Sequence, residues 1–178
     1  MSKTEKEYFD LSIAQLQALG AWAADCAERS LTLYENIEQD DARPRRAIEG
    51  IRAFVASGKR TNALRKASLE AFRASSETKD LAASAAAKAA SLAAASAFTH
   101  PFKDLRQAMH ILGPASYSAL AVELRNTATG QAEIEWAVAN ADESVADLLK
   151  KMPEQSGKGK RIDQLLQMLD QGIREKFK

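Results

Sequence analysis

Of the eighteen residues 81–98, eleven are alanine. Alanine is the best helix former, so this stretch is committed to helix by its own composition. It has almost no bulky side chain with which to fill space. That suits a central position, where other helices can approach its backbone closely. Lys88 in its middle and the scarcity of leucine and isoleucine make it a poor membrane span.

The rest of the chain supplies helices to surround it. No segment sustains the two-residue alternation of a half-buried strand, whereas apolar residues recur at spacings of three and four. Ser12 and Gln15 form a capping-box pattern that opens a first helix. It is expected to run to about Glu38, with Trp22, Ala23, Cys26, Ala27, Leu33, Tyr34 and Ile37 inward. An acidic turn follows at 39–42. Pro44 then fits the first turn of a second helix, whose stripe is Ala47, Ile48, Ile51, Phe54 and Val55 and whose C′ residue is Gly58. Thr61 reads as the cap of a third helix reaching Ser75 with Leu64, Ala67, Ala71 and Phe72 inward, and Thr78 as the cap of the alanine-rich one. His100 and Pro101 mark a break. A helix over 102–111 is expected to stop at Gly113 and Pro114, with another resuming over 115–126 and Leu124 inward. Helices over 131–140 and after Asp142 come next. The segment 153–160, PEQSGKGK, reads as a flexible linker. Beyond it, Ile162, Leu165, Leu166, Leu169, Ile173 and Phe177 recur at helical spacing.

The expectation is an all-α protein: a single-domain, multi-helix bundle of about eight helices around an alanine-rich central helix. It divides into a domain over 1–152, the linker, and an amphipathic helix over 161–178. That helix docks on its own domain or serves a homodimer.

The net charge of +1, from 25 basic and 24 acidic residues, gives no global drive toward nucleic acid or anionic lipid. The distribution is uneven. Residues 25–41 hold six acids against Arg29, and residues 43–73 hold nine bases against Glu49 and Glu70. Within this region Asp25 is spaced to pair with Arg29, Arg45 and Arg52 flank Glu49, and Asp40 and Asp41 meet Arg43. Such a constellation is either a network that fixes the hairpin or a charged docking edge.

The familiar catalytic patterns are missing. His100 and His110, ten residues apart with a proline between, fit neither HExxH nor a Glu-x-x-His pair, so no metal and no cofactor is expected. There is no GxSxG, phosphate loop or Gly-rich dinucleotide turn. The basic helices lack interleaved aromatics, which argues against a nucleic-acid partner. Cys26 sits mid-helix, where cysteine behaves as a small hydrophobe. One cysteine and no evident signal peptide point to a reducing cytoplasm. If there is an enzyme or a small-ligand or metal-binding bundle here, its polar pocket would draw on Asp25, Glu49, His100 and His110.

Several blocks carry a family resemblance. WAADCAE at 22–28, RPRRAIE at 43–49 and HILGPASYSAL at 110–120, with Glu135 and Trp136 further on, resemble the bacterial all-helical immunity-five-like family of polymorphic toxin systems. The resemblance spans about residues 11–152. It implies a non-enzymatic immunity protein that binds and neutralises a cognate protein toxin. On that reading the partner-contacting residues are Trp22, Asp25, Glu28, Arg43, Arg45, Glu49 and Arg52 of the first hairpin, with His110 and Tyr117 adjacent. Arginine and tryptophan are the expected anchors.

Overall fold

The computed structural model describes residues 7–126 and 130–178. Among them are eight helices: α1 (Ile13–Glu35), α2 (Arg43–Ser57), α3 (Asn62–Glu77), α4 (Leu81–Ser96), α5 (Leu105–Arg125), α6 (Gly130–Asn140), α7 (Glu143–Lys150) and α8 (Arg161–Lys176). The described residues form no sheet, and one isolated β-bridge joins Tyr8 to Phe102. The fold is all-α, as the hydrophobic spacing predicts.

The alanine-rich helix is central. Helix α4 packs against α1, α2, α3 and α5, and alanines over about half its circumference, among them Ala83, Ala87, Ala89 and Ala93, are fully buried. Its smooth surface accepts small partners: α3 presents Ser68, Ala71 and Ala74 to the interior. The two helices come close enough for a reciprocal bond pair. The Ser68 hydroxyl donates to the Ser91 carbonyl at 2.9 Å, and the Ser91 hydroxyl to the Ser68 carbonyl at 2.8 Å.

Helix α1 divides the interior. Leu16, Ala23, Ala24, Ala27 and Leu31 pack with α2, α3 and α4, while Leu19, Trp22 and Cys26 join a second cluster with α5, α6, α7 and α8. Gly20 lets α2 approach α1, since a Cβ there would stand 3.0 Å from Ile51 Cδ1. The Ser12 capping box opens α1, Thr61 caps α3, Asp142 caps α7, and Gly58 ends α2 in the left-handed conformation at φ 68°.

Other expectations need correction. Helix α1 ends at Glu35 and leaves Ile37 46% exposed, because the chain turns on Tyr34, whose carbonyl accepts from the N–H groups of Ile37 and Glu38. Thr78 terminates α3, and the N-cap of α4 is Asp80, whose carboxylate accepts from the Ala83 N–H at 2.8 Å. A carboxylate caps better there because it also meets the positive end of the helix dipole. Phe72 and Leu124 lie outward, as the smooth alanine face of α4 leaves no hollow for bulky groups. Gly113 and Pro114 do not stop a helix. Helix α5 runs straight through them. The proline forgoes its bond to the His110 carbonyl, and packing compensates: Gly113 and Pro114 are buried, and a Cβ on Gly113 would lie 2.6 Å from Leu92 Cδ1. Tertiary burial here outweighs the local preference of proline.

Helix α8 lays Leu165, Leu166, Leu169 and Ile173 into the cluster it shares with α5, α6 and α7. Its buried Asp170 accepts from Arg174 at 2.7 Å and from the Gln155 N–H at 2.8 Å. Arg174 in turn donates to the carbonyls of Leu149 and Met152 at the end of α7. The apolar face on which a homodimer through 161–178 would depend is thus occupied within the same chain.

Candidate functional site

Asp25, Glu28 and Glu35 recur at helical spacing along one side of α1, and Arg45 and Arg52 stand two turns apart on the facing side of α2. The result is a cross-helix ladder. Arg52 donates to Asp25 at 3.0 Å and also to Glu28. Arg45 reaches Glu28 at 3.0 Å and holds Glu35 through two bonds of 2.8 and 2.9 Å. The bond from Arg52, reinforced by Arg45, holds the Glu28 carboxyl below its usual range. These side chains are roughly a third to a half exposed, and exposed pairs of this kind contribute only about 0–1 kcal/mol each. The ladder shapes a surface more than it stabilises the fold.

Helix α6 completes that surface. Arg29 grips Glu133 through bonds of 2.5 and 3.0 Å, and its guanidinium lies 4.2 Å from the centre of the Trp136 ring. Trp136 and Asn140, with Asp25, Glu28, Arg29 and Arg52, line an open groove of about 340 Å³. It presents two carboxylates, two guanidinium groups, an indole and an amide: groups suited to recognition.

The structure places the predicted site residues unevenly. Asp25, Glu28 and Arg52 meet in the groove, and Arg45 continues the ladder beside it. Trp22 is buried, its Nε1–H donating to the Ala137 carbonyl at 3.0 Å, so it joins α1 to α6 from within. Asp25 pairs with Arg52 and not with Arg29, which turns to Glu133. Glu49 is exposed and has no ion-pair partner among the described residues, because Arg45 and Arg52 both point to α1. Arg43 bonds Asp41 and Glu77, the latter on α3, while Asp40 makes no such pair among the described residues. Tyr117 packs among the alanines beside α4, with the Lys88 ammonium 5.0 Å from its ring. His110 is partly buried in α5, its Nδ1 without a hydrogen-bond partner among the described residues. Burial, and then the charge of His100, lower its pKa.

Of Asp25, Glu49, His100 and His110, only Asp25 lines the groove, and among the described residues no three His, Cys, Asp or Glu side chains are placed to share a metal ion. Cys26 is buried. Burial, then the charge of Asp25, push its thiol far above the ordinary range. The expected contact set left out Arg29, Glu35, Glu133, Asn140 and Trp136, the last noted in the sequence only for its resemblance to the family. Glu35 was visible as the next carboxylate along the Asp25 side of α1. The α6 residues lie about a hundred positions away, and only the fold brings them in.

The molecule is therefore a helical bundle with an open, mixed-charge groove on its surface. Residues 10–144 match the family described as Imm-5 like putative immunity protein, and the chain belongs to that family. Comparison with curated proteins and with solved structures finds no match. The matched span contains every residue of the groove, and α8 lies beyond it. Among the described residues no helix is long and apolar enough to cross a membrane.

Proposed function

We propose that the protein is an immunity protein that binds and neutralises a cognate protein toxin in the cytoplasm without catalysis, and that the α1–α2–α6 groove is its docking face. The observation that carries this reading is membership of the immunity-like family over residues 10–144, a span that holds all the groove residues. The composition of the groove supports it. Arginine and tryptophan supply most anchors in protein interfaces, and here Arg52, Arg29 and Trp136 are held in place by neighbouring carboxylates and by each other. Such preorganisation lowers the entropy lost on association. The alternating signs favour a partner with complementary charges and disfavour others.

Co-expression with the product of the neighbouring gene tests the reading. That product should arrest growth alone and be harmless beside the wild-type chain. A folded Arg52→Glu variant, which sets a third carboxylate against Asp25 and Glu28, should fail to protect, as should Trp136→Ala. A product that is toxic alone and equally toxic in the presence of this protein would sink the proposal.

A further inference from the structure

The arginines that α2 turns toward α1 are only part of its charge. On its other side α2 meets α3 across a second open groove of about 390 Å³, lined on its apolar side by Ala53, Phe54, Leu64 and Ala67. Arg46, Lys59 and Lys66 edge it, against one carboxylate, Glu70. Lys66 and Glu70 stand 3.7 Å apart with the lysine largely in solvent, a pairing of little energy. The side chains of Arg46 and Lys59 have no carboxylate partner among the described residues, and neither do those of Arg60 in the connecting turn and Arg73 further along α3. By contrast Arg29, Arg43, Arg45, Arg52, Arg125, Arg161 and Arg174 each hold a carboxylate. The rim of this groove therefore carries three cations, two of them without a carboxylate partner among the described residues, against the single carboxylate of Glu70.

We infer that the α2–α3 groove is a second docking surface and that its occupant is an acidic amphipathic helix of a protein partner. Phe54 and Leu64 form a buried floor, and the accessible apolar groups above it, Ala53, Ala63 and Ala67, are small, so the groove accepts an apolar ridge of the kind a helix presents at i, i+3, i+4 and i+7. Carboxylates flanking that ridge meet Arg46 on the α2 wall, Lys66 on the α3 wall and Lys59 in the turn that joins them, which is charge complementarity set around an apolar seam. A single-stranded nucleic acid would need exposed aromatic platforms for its bases, and Phe54, the one aromatic lining the groove, is 1% exposed. The helix-in-groove occupant is the one that uses both the lining and the rim. This surface shares no residue with the α1–α2–α6 groove, so the two can be tested apart.

The test uses the full chain and a display library of helical peptides of about sixteen residues, about four turns, randomised on one side. Selection is on the wild-type protein, with counter-selection against the Arg46→Glu, Lys59→Glu double variant. Enriched peptides should be acidic with an apolar stripe. Their binding should fall about tenfold or more when salt is raised to 0.5 M. It should fall as far in the double variant and in Ala53→Trp, which fills the groove from an exposed position, while Arg52→Glu in the other groove leaves it unchanged. Far-ultraviolet circular dichroism and thermal unfolding confirm that each variant folds, and the double variant, altered only at exposed side chains, keeps the test open if Ala53→Trp does not. Neutral or basic winners, no winners, or winners indifferent to these changes would overturn the inference. So would a twenty-nucleotide single strand that binds wild type and is lost in the same variants, which would assign the face to nucleic acid.

Discussion

Asp41 gathers more bonds than any other carboxylate in the turn between α1 and α2. It accepts from the Tyr34 hydroxyl at 2.7 Å, the Arg43 backbone N–H at 3.0 Å and the Arg43 guanidinium at 2.6 Å. Arg43, aided by Tyr34, holds its carboxyl far below the usual range. Replacing it by alanine leaves the buried Tyr34 hydroxyl unpaired and should cost about 2 kcal/mol at neutral pH. The native carboxyl titrates below its unfolded value of about 3.9, so its contribution is complete above that pH and is lost as acid approaches the native value. The gap between wild type and Asp41→Ala in urea unfolding should therefore narrow as pH falls below about 4. An unchanged gap would mean the bonds contribute nothing through charge. Cys26 gives a second test at this scale. Its buried, protonated thiol should resist an aromatic disulfide reagent at pH 8 in the folded chain and react at once in denaturant. At this scale the sequence was least legible. Asp25 and Arg29 are correctly spaced to pair along one helix, yet each finds a partner on another helix. Arg29 there meets both oxygens of Glu133, a bidentate geometry stronger than a single contact.

At the scale of the element, much more could be read in advance. Capping side chains and apolar spacing located the helices, because those signals are local. Pro114 shows where locality fails: a proline that ends an isolated helix is carried inside α5 by burial of its neighbours. On α3, Leu64 and Ala71 lie inward as expected, while Phe72 lies outward against expectation for a related reason, since α4 offers its neighbours a surface of methyl groups and takes small residues against it. That surface predicts the response to mutation. Ala90 is fully buried in α4. Leucine there keeps helix propensity almost unchanged, yet its extra methylenes must displace a neighbouring helix, at a cost of about 1–3 kcal/mol. Chemical denaturation should show this loss with helix content in the native baseline preserved. If Ala90→Leu were neutral, the central packing assigned to α4 would be incorrect.

For the molecule as a whole, the question is where the folding unit ends. The family match stops at residue 144, and composition invites a boundary at the glycine-containing segment before α8. The packing argues for a larger unit. Leu165, Leu166, Leu169 and Ile173 are buried with residues of α1, α5, α6 and α7, and Lys176 donates to the carbonyls of Val138, Ala139 and Ala141 at the end of α6. Four buried aliphatic side chains are worth up to about 6–12 kcal/mol, comparable with the whole stability of a typical domain, about 5–15 kcal/mol. A chain truncated after residue 152 should therefore lose the packing of the α5–α7 half. Both tryptophans report on that half, Trp22 from within its cluster and Trp136 packed against it. The truncated chain should show red-shifted tryptophan emission at room temperature while α1–α4, built on the other face of α1, retain helical circular dichroism. In the full chain the two signals should melt together, since α1 belongs to both clusters and couples them. A truncated chain with native emission and an unshifted melting temperature would instead make α8 an appendage, and the groove at α6 would then owe nothing to it.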